Sequence, residues 1–368
     1  FRDPPSVLYP DSMPPPPRTK RSHSWVDLPR EELLDVPIAD LGVELEGSAL
    51  EPRLDALDAE FERRDFSFRP YAWLSTDWFA PDDTSGFAIP FYLAHPRLIR
   101  LERNQMLEVE GGSTDQCMKL MRHEAAHALD NAYGLRRRKD WREMFGPAGV
   151  PYRSSYTPDP TSREYVLHLD YWYSQSHPLE DFAETFAVWL KPGARWRARY
   201  QGWPALRKLE YVDRLMKEIA DTPPKLKTRR KEEPVNRVRM TLRRYYAQKK
   251  QIYQDEGTPA FDGQLSRTFP DAASAPDGAP KLAPFLRRHR EKLVRRVASG
   301  TGQHRYLIDH VVREMITRAK LRDLRVPEAA EQGGSGLTDA EGALIDTAIL
   351  LTSLTSQFLY GGHNRYQR

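Results

Sequence analysis

In the run Arg122-His123-Glu124-Ala125-Ala126-His127, two histidines stand four residues apart. On a helix, residues at that spacing lie on one face, one turn above the other. The flanks favour a helix. Cys117, Met121, Ala125, Ala128 and Ala132 recur at helical spacing, Thr114 or Asp115 can cap the start, and Gly134 supplies a stop. Together they predict a helix over about residues 115–133. Leu120, His123, His127 and Asp130 fall on a face distinct from the apolar one.

Two imidazoles on adjoining turns can meet one metal ion. Glu124, next to the first of them, can take a proton from a water that the metal has acidified, giving a hydroxide that attacks a polarised carbonyl. Zinc suits imidazole and carboxylate donors, although donor type alone also admits manganese, cobalt or iron. The plain alternative, two histidines with no metal, is outweighed by the helical context.

A catalytic zinc needs a third protein ligand and keeps its fourth position for water. A metzincin would continue with Gly at 130 and His or Asp at 133, whereas this chain has Asp130 and Tyr133. A gluzincin takes its third ligand from a glutamate on a second helix. That helix is predicted from Pro178, with Ser176 as cap, to Lys191, before Pro192-Gly193. Glu180 and Glu184 share one of its faces, in Glu180-Asp181-Phe182-Ala183-Glu184-Thr185-Phe186.

His123-Glu-Ala-Ala-His127-Ala-Leu-Asp130-Asn-Ala-Tyr-Gly134, then Tyr173 and Glu180-Asp-Phe-Ala-Glu184-Thr-Phe186, resembles the lethal-factor-type gluzincin proteases and related bacterial zinc-binding metallopeptidases. The resemblance covers about residues 115–190, roughly a fifth of the chain. It implies that Glu180 is the ligand, that Glu184 supports the site from behind, and that Tyr173, seven residues before Glu180, stabilises the oxyanion. It implies a mechanism but no substrate.

Other residues carry weaker expectations. Asp130 can hold an imidazole through its other ring nitrogen. Glu184 is the alternative ligand. His177 can orient substrate or bind the oxyanion. His168 is read as structural, and Phe182, Phe186 and Trp189 as core.

The expected fold class is α+β: a zincin-like catalytic domain, with a small sheet and the two zinc helices, followed by a mainly α-helical, basic region. The expected divisions are a Pro-rich arm over 1–38, the metallopeptidase domain over 39–220, basic helices over 221–326, and a linker with a last helix over 327–368. Apolar residues between 86 and 102, interrupted by Pro90 and Pro96, suggest strands, with an edge on which an extended peptide can pair.

Charge is uneven along the chain. Residues 225–325 hold 25 Lys and Arg against 11 Asp and Glu, while the whole chain is only +4. Such a block can attract nucleic acid, an acidic protein or the acidic remainder of the chain, and a long solvated helix has the same composition. The solvated reading is preferred, with a nucleic-acid or acidic-partner scaffold as the alternative to a peptidase acting on protein or peptide.

No run of about 18 apolar residues offers a membrane span, and residues 343–360 read as a buried or partner-facing helix. The single cysteine, Cys117, forms no intrachain disulfide and points to the cytoplasm, while a start at Phe1 leaves room for a removed signal.

Overall fold

The computed structural model describes residues 24–153, 156, 158–159, 161–252, 262–276, 278–326 and 339–360. The prolines expected to form an arm, between residues 4 and 17, and the linker expected over 327–338 lie outside them. Among the described residues there are thirteen α-helices and one two-stranded parallel sheet, an α+β arrangement dominated by helix. In chain order these are α1 (Arg30–Leu34), α2 (Glu51–Glu62), β1 (Tyr71–Ser75), β2 (Gly86–Pro90), α3 (Pro96–Met106), α4 (Thr114–Tyr133) and α5 (Lys139–Phe145). Then come α6 (Pro178–Leu190), α7 (Trp196–Arg199), α8 (Ala205–Ile219), α9 (Leu242–Ile252), α10 (Asp262–Thr268), α11 (Leu282–Thr301), α12 (Arg305–Leu321) and α13 (Asp339–Tyr360).

The histidine pair lies on α4. Its cap is Ser113, one residue before Thr114 and two before Asp115, and its hydroxyl accepts the Gln116 N–H at 3.2 Å. Gly134 ends it in the left-handed region at φ 66°, which glycine reaches without a Cβ clash. The expected division into a polar and an apolar face does not survive packing. Leu120, His123 and Asp130 are buried just as Cys117, Met121 and Ala125 are, because α2, α6 and β2 enclose the helix.

The second helix, α6, is buried from Leu179 through Leu190, and a helix enclosed on all sides belongs to a core. Phe182 anchors it, with its ring 5.8 Å from Trp141 and 5.5 Å from Phe145. Its cap is His177 instead of Ser176. Pro178 occupies the first turn, where a missing N–H is harmless.

The sheet is shorter than expected. β1 and β2 pair with Tyr71 opposite Gly86 and Ser75 opposite Pro90, after which Pro96 starts α3 with His95 as cap. β2 is an edge strand of the pair, as expected, but its outer side is not left open to a peptide. All five of its residues are buried, and on the side away from β1 the Ala88 N–H donates to Phe79 O at 2.7 Å.

Two apolar clusters move the expected boundaries. The first contains Trp25, Leu33 and Ile38, so residues 24–38 are packed chain and not arm. It also contains Leu242, Tyr245 and Tyr246 of α9, beyond the boundary drawn at 220. These few apolar residues are hidden in the sequence among Arg243, Arg244, Lys249 and Lys250. The second cluster joins α10, α11, α12 and α13, from Leu265 to Leu354.

The positive block partly rests on the acidic part of its own chain. Arg230 pairs with Asp83 at 2.8 Å, Arg243 with Asp35 at 2.7 Å and Lys249 with Glu102 at 2.8 Å. Before α9, residues 230–233 cross one face of β1: the Tyr71 hydroxyl donates to Arg230 O, the Trp73 indole to Glu232 O and the Ser75 hydroxyl to Glu233 O. Alternate strand residues share a face, so these three act together. Among the described residues no helix is long and apolar enough to cross a membrane, and α13 packs on α11 and α12.

Candidate metal centre

Where α4 lies against α6, three side-chain atoms converge. His123 Nε2 and His127 Nε2 are 3.1 Å apart, and Glu180 Oε2 is 2.9 Å from the first and 3.3 Å from the second. Donors bound at about 2.0–2.1 Å to a tetrahedral ion lie roughly 3.3 Å from one another. The three atoms therefore already stand near the separations that such an ion demands. Two imidazoles and a carboxylate are also the donor types that zinc accepts, so this buried group could hold a metal ion.

The two glutamates of α6 reach His123 from opposite sides of its ring. Glu184 Oε1 accepts from Nδ1 at 2.8 Å, and its Oε2 accepts the Leu169 N–H at 2.8 Å. Glu184 cannot face both Nε2 atoms from there, which leaves Glu180 as the third donor.

Charge holds the cluster together. Burial by itself disfavours a protonated His123, but its bonds to Glu180 and Glu184 outweigh that and hold its imidazole well above the usual histidine range. Burial alone would raise the Glu180 carboxyl; the charge of His127 and hydrogen bonds from both imidazoles hold it well below the usual carboxylate range. A cation held there would take the place of the Nε2 proton and would leave the Nδ1 bond to Glu184 intact.

Glu124 is buried beside this group, and burial pushes its carboxyl up, with His123 and His127 pulling the other way. The half-buried Tyr173 has its ring 5.6 Å from that of His123. Just before it, Trp172 sits in the left-handed region at φ 53°, a strained conformation for a bulky side chain. Burial first, and then the charge of Glu180, pushes the Tyr173 phenol well above its ordinary range.

Two sequence expectations are corrected. Both His177 nitrogens have structural partners: Nδ1 accepts the Leu179 N–H at 3.1 Å and Nε2 donates to Val150 O at 2.8 Å. A ring so held has no nitrogen left to orient a substrate. Asp130 does not hold an imidazole either. Its Oδ1 accepts the Arg136 N–H at 2.7 Å and its Oδ2 accepts from the Arg136 guanidinium, which also bonds Asn131 and Asp82. His168 is structural as expected, donating from Nε2 to Lys119 O at 3.1 Å.

One neighbour of the cluster is not legible beforehand. Tyr152 donates its hydroxyl to Glu180 Oε1 at 2.6 Å. In the sequence it is one of many aromatics between the two helices, with no spacing that singles it out. No family model, no curated protein and no solved structure matches the chain.

Proposed function

We propose that this chain is a zinc-dependent peptidase of the gluzincin type, with a zincin-like catalytic domain, hydrolysing amide bonds in a protein or peptide substrate. One observation carries the reading: His123 Nε2, His127 Nε2 and Glu180 Oε2 converge at 2.9–3.3 Å with the Glu124 carboxyl buried beside them. A purely structural zinc site has no use for a base such as Glu124 and usually closes with four protein ligands.

Zinc bound by His123, His127 and Glu180 would supply the Lewis acidity that lowers the pKa of water and polarises the scissile carbonyl. The rest falls to the chain's own groups. Glu124 accepts the proton of the attacking water and returns it to the leaving amine, a task helped by a carboxyl raised above its ordinary range. Tyr173, whose phenol stays protonated, donates to the developing oxyanion. Glu184 keeps the His123 ring turned with Nε2 toward Glu180.

The test pairs metal content with cleavage of a generic unfolded protein. Wild type is expected to carry zinc, His123→Ala and Glu180→Gln to lose it, and Glu124→Gln to keep it while activity falls on the order of 10²–10⁴-fold. Absence of zinc from folded wild type, or full activity in Glu124→Gln, sinks the proposal.

A further inference from the structure

Glu180 is a buried carboxylate whose two oxygens have different work. Oε2 faces both histidine Nε2 atoms, and Oε1 accepts the Tyr152 hydroxyl at 2.6 Å. A short bond from a hydroxyl to a carboxylate is among the stronger hydrogen bonds of proteins. Tyr152 is itself held: its ring stacks on His177 at 3.9 Å and 15°. The His177 ring caps α6 through Nδ1 and ties down the loop before Tyr152 by donating to Val150 O. Gly146 opens that loop at φ 103°, close against Pro178 of α6. Cap, loop and phenol thus form one clamp around the third residue of the helix that carries Glu180.

We propose that Tyr152 is a positioning residue for the metal ligand Glu180. It occupies Oε1, so that Glu180 offers Oε2 alone to the ion. The inference rests on the metal reading given above, yet concerns a residue outside both sequence motifs. With the phenol gone, Oε1 is left without that donor and Glu180 is free to turn or to offer both oxygens. His177 acts one step further back, by holding the Tyr152 ring.

Tyr152→Phe keeps the stacked ring and removes only the hydroxyl. Zinc affinity measured by chelator competition is expected to fall about 10–100-fold, the usual cost of losing a partner of a metal ligand. The visible absorption of the Co²⁺-loaded protein, which reports donor number and type, is expected to change as well. Tyr133→Phe removes a hydroxyl bound to Thr222 O, elsewhere on α4, and is expected to move neither readout. Unchanged affinity and spectrum in Tyr152→Phe overturn the inference and leave the metal reading intact. A wild type that binds neither Zn²⁺ nor Co²⁺, or that binds them equally well with His123→Ala, overturns both.

Discussion

Glu184 accepts the Nδ1–H of His123 at 2.8 Å, while Glu180 meets the Nε2 of the same ring at 2.9 Å. One imidazole is thus gripped from both sides by carboxylates one turn apart on α6. The grip sets the ring plane, and it makes each carboxylate testable on its own.

Glu184→Gln keeps the size of the side chain and an acceptor oxygen but loses the charge. Zinc affinity is expected to drop about 10–100-fold, because a ligand imidazole loses the anion that orients it and raises its basicity. Chelator competition measures this directly. Wild-type affinity in the variant would show that the charge of Glu184 contributes nothing to the site.

Immediately before His123, Arg122 forms a two-pronged pair with Glu60 of α2, both bonds at 2.7 Å, with both side chains buried. Removing one partner strands a buried charge, so Glu60→Leu alone is expected to cost roughly 3–5 kcal/mol. The double change Glu60→Leu with Arg122→Met is expected to recover most of that. Urea unfolding of the three proteins decides it, and additive losses would contradict the account.

His168 is held down to about 4 by burial. Its folded-state value lies below that of the unfolded chain, about 6.5, so between these values the unfolded state binds more protons. Stability is therefore expected to fall as pH drops from about 6.5 to about 4, by about 3 kcal/mol from this residue. The unfolding free energy of His168→Gln, compared with wild type across that window, should lack this part of the slope. Parallel profiles would place the titration elsewhere.

Gly134 closes α4 at φ 66°, and a Cβ added there would meet nothing nearer than Arg137 Cδ at 3.9 Å. Gly134→Ala is therefore expected to cost only the conformational penalty of the left-handed region, about 1–2 kcal/mol. A larger loss by urea unfolding would mean that the helix end makes a close contact that the geometry does not contain.

Local signals were enough for the two helices that meet at the candidate site. Period, caps and stops act within a few residues, so α4 and α6 are legible to within a residue or so, and so is the placement of Glu180 and Glu184 on one face. The α+β class follows from the same signals. The caps themselves were misread, since Ser113 and His177 compete with neighbours of similar chemistry and only the backbone path selects among them.

By itself, then, the sequence determined that two histidines and two glutamates stand on helix faces at spacings suited to one ion. From spacing alone either glutamate can be the third donor; tertiary structure decided that Glu180 meets both Nε2 atoms while Glu184 takes the far side of one ring. It also decided that Tyr152 reaches Glu180 across 28 residues, that Glu60 reaches Arg122 across 62, and that the charged helix α9 joins the first core. The reason is physical. Helical periodicity records which residues share a face of one element, whereas these contacts depend on how separate elements pack, and no local pattern carries that information.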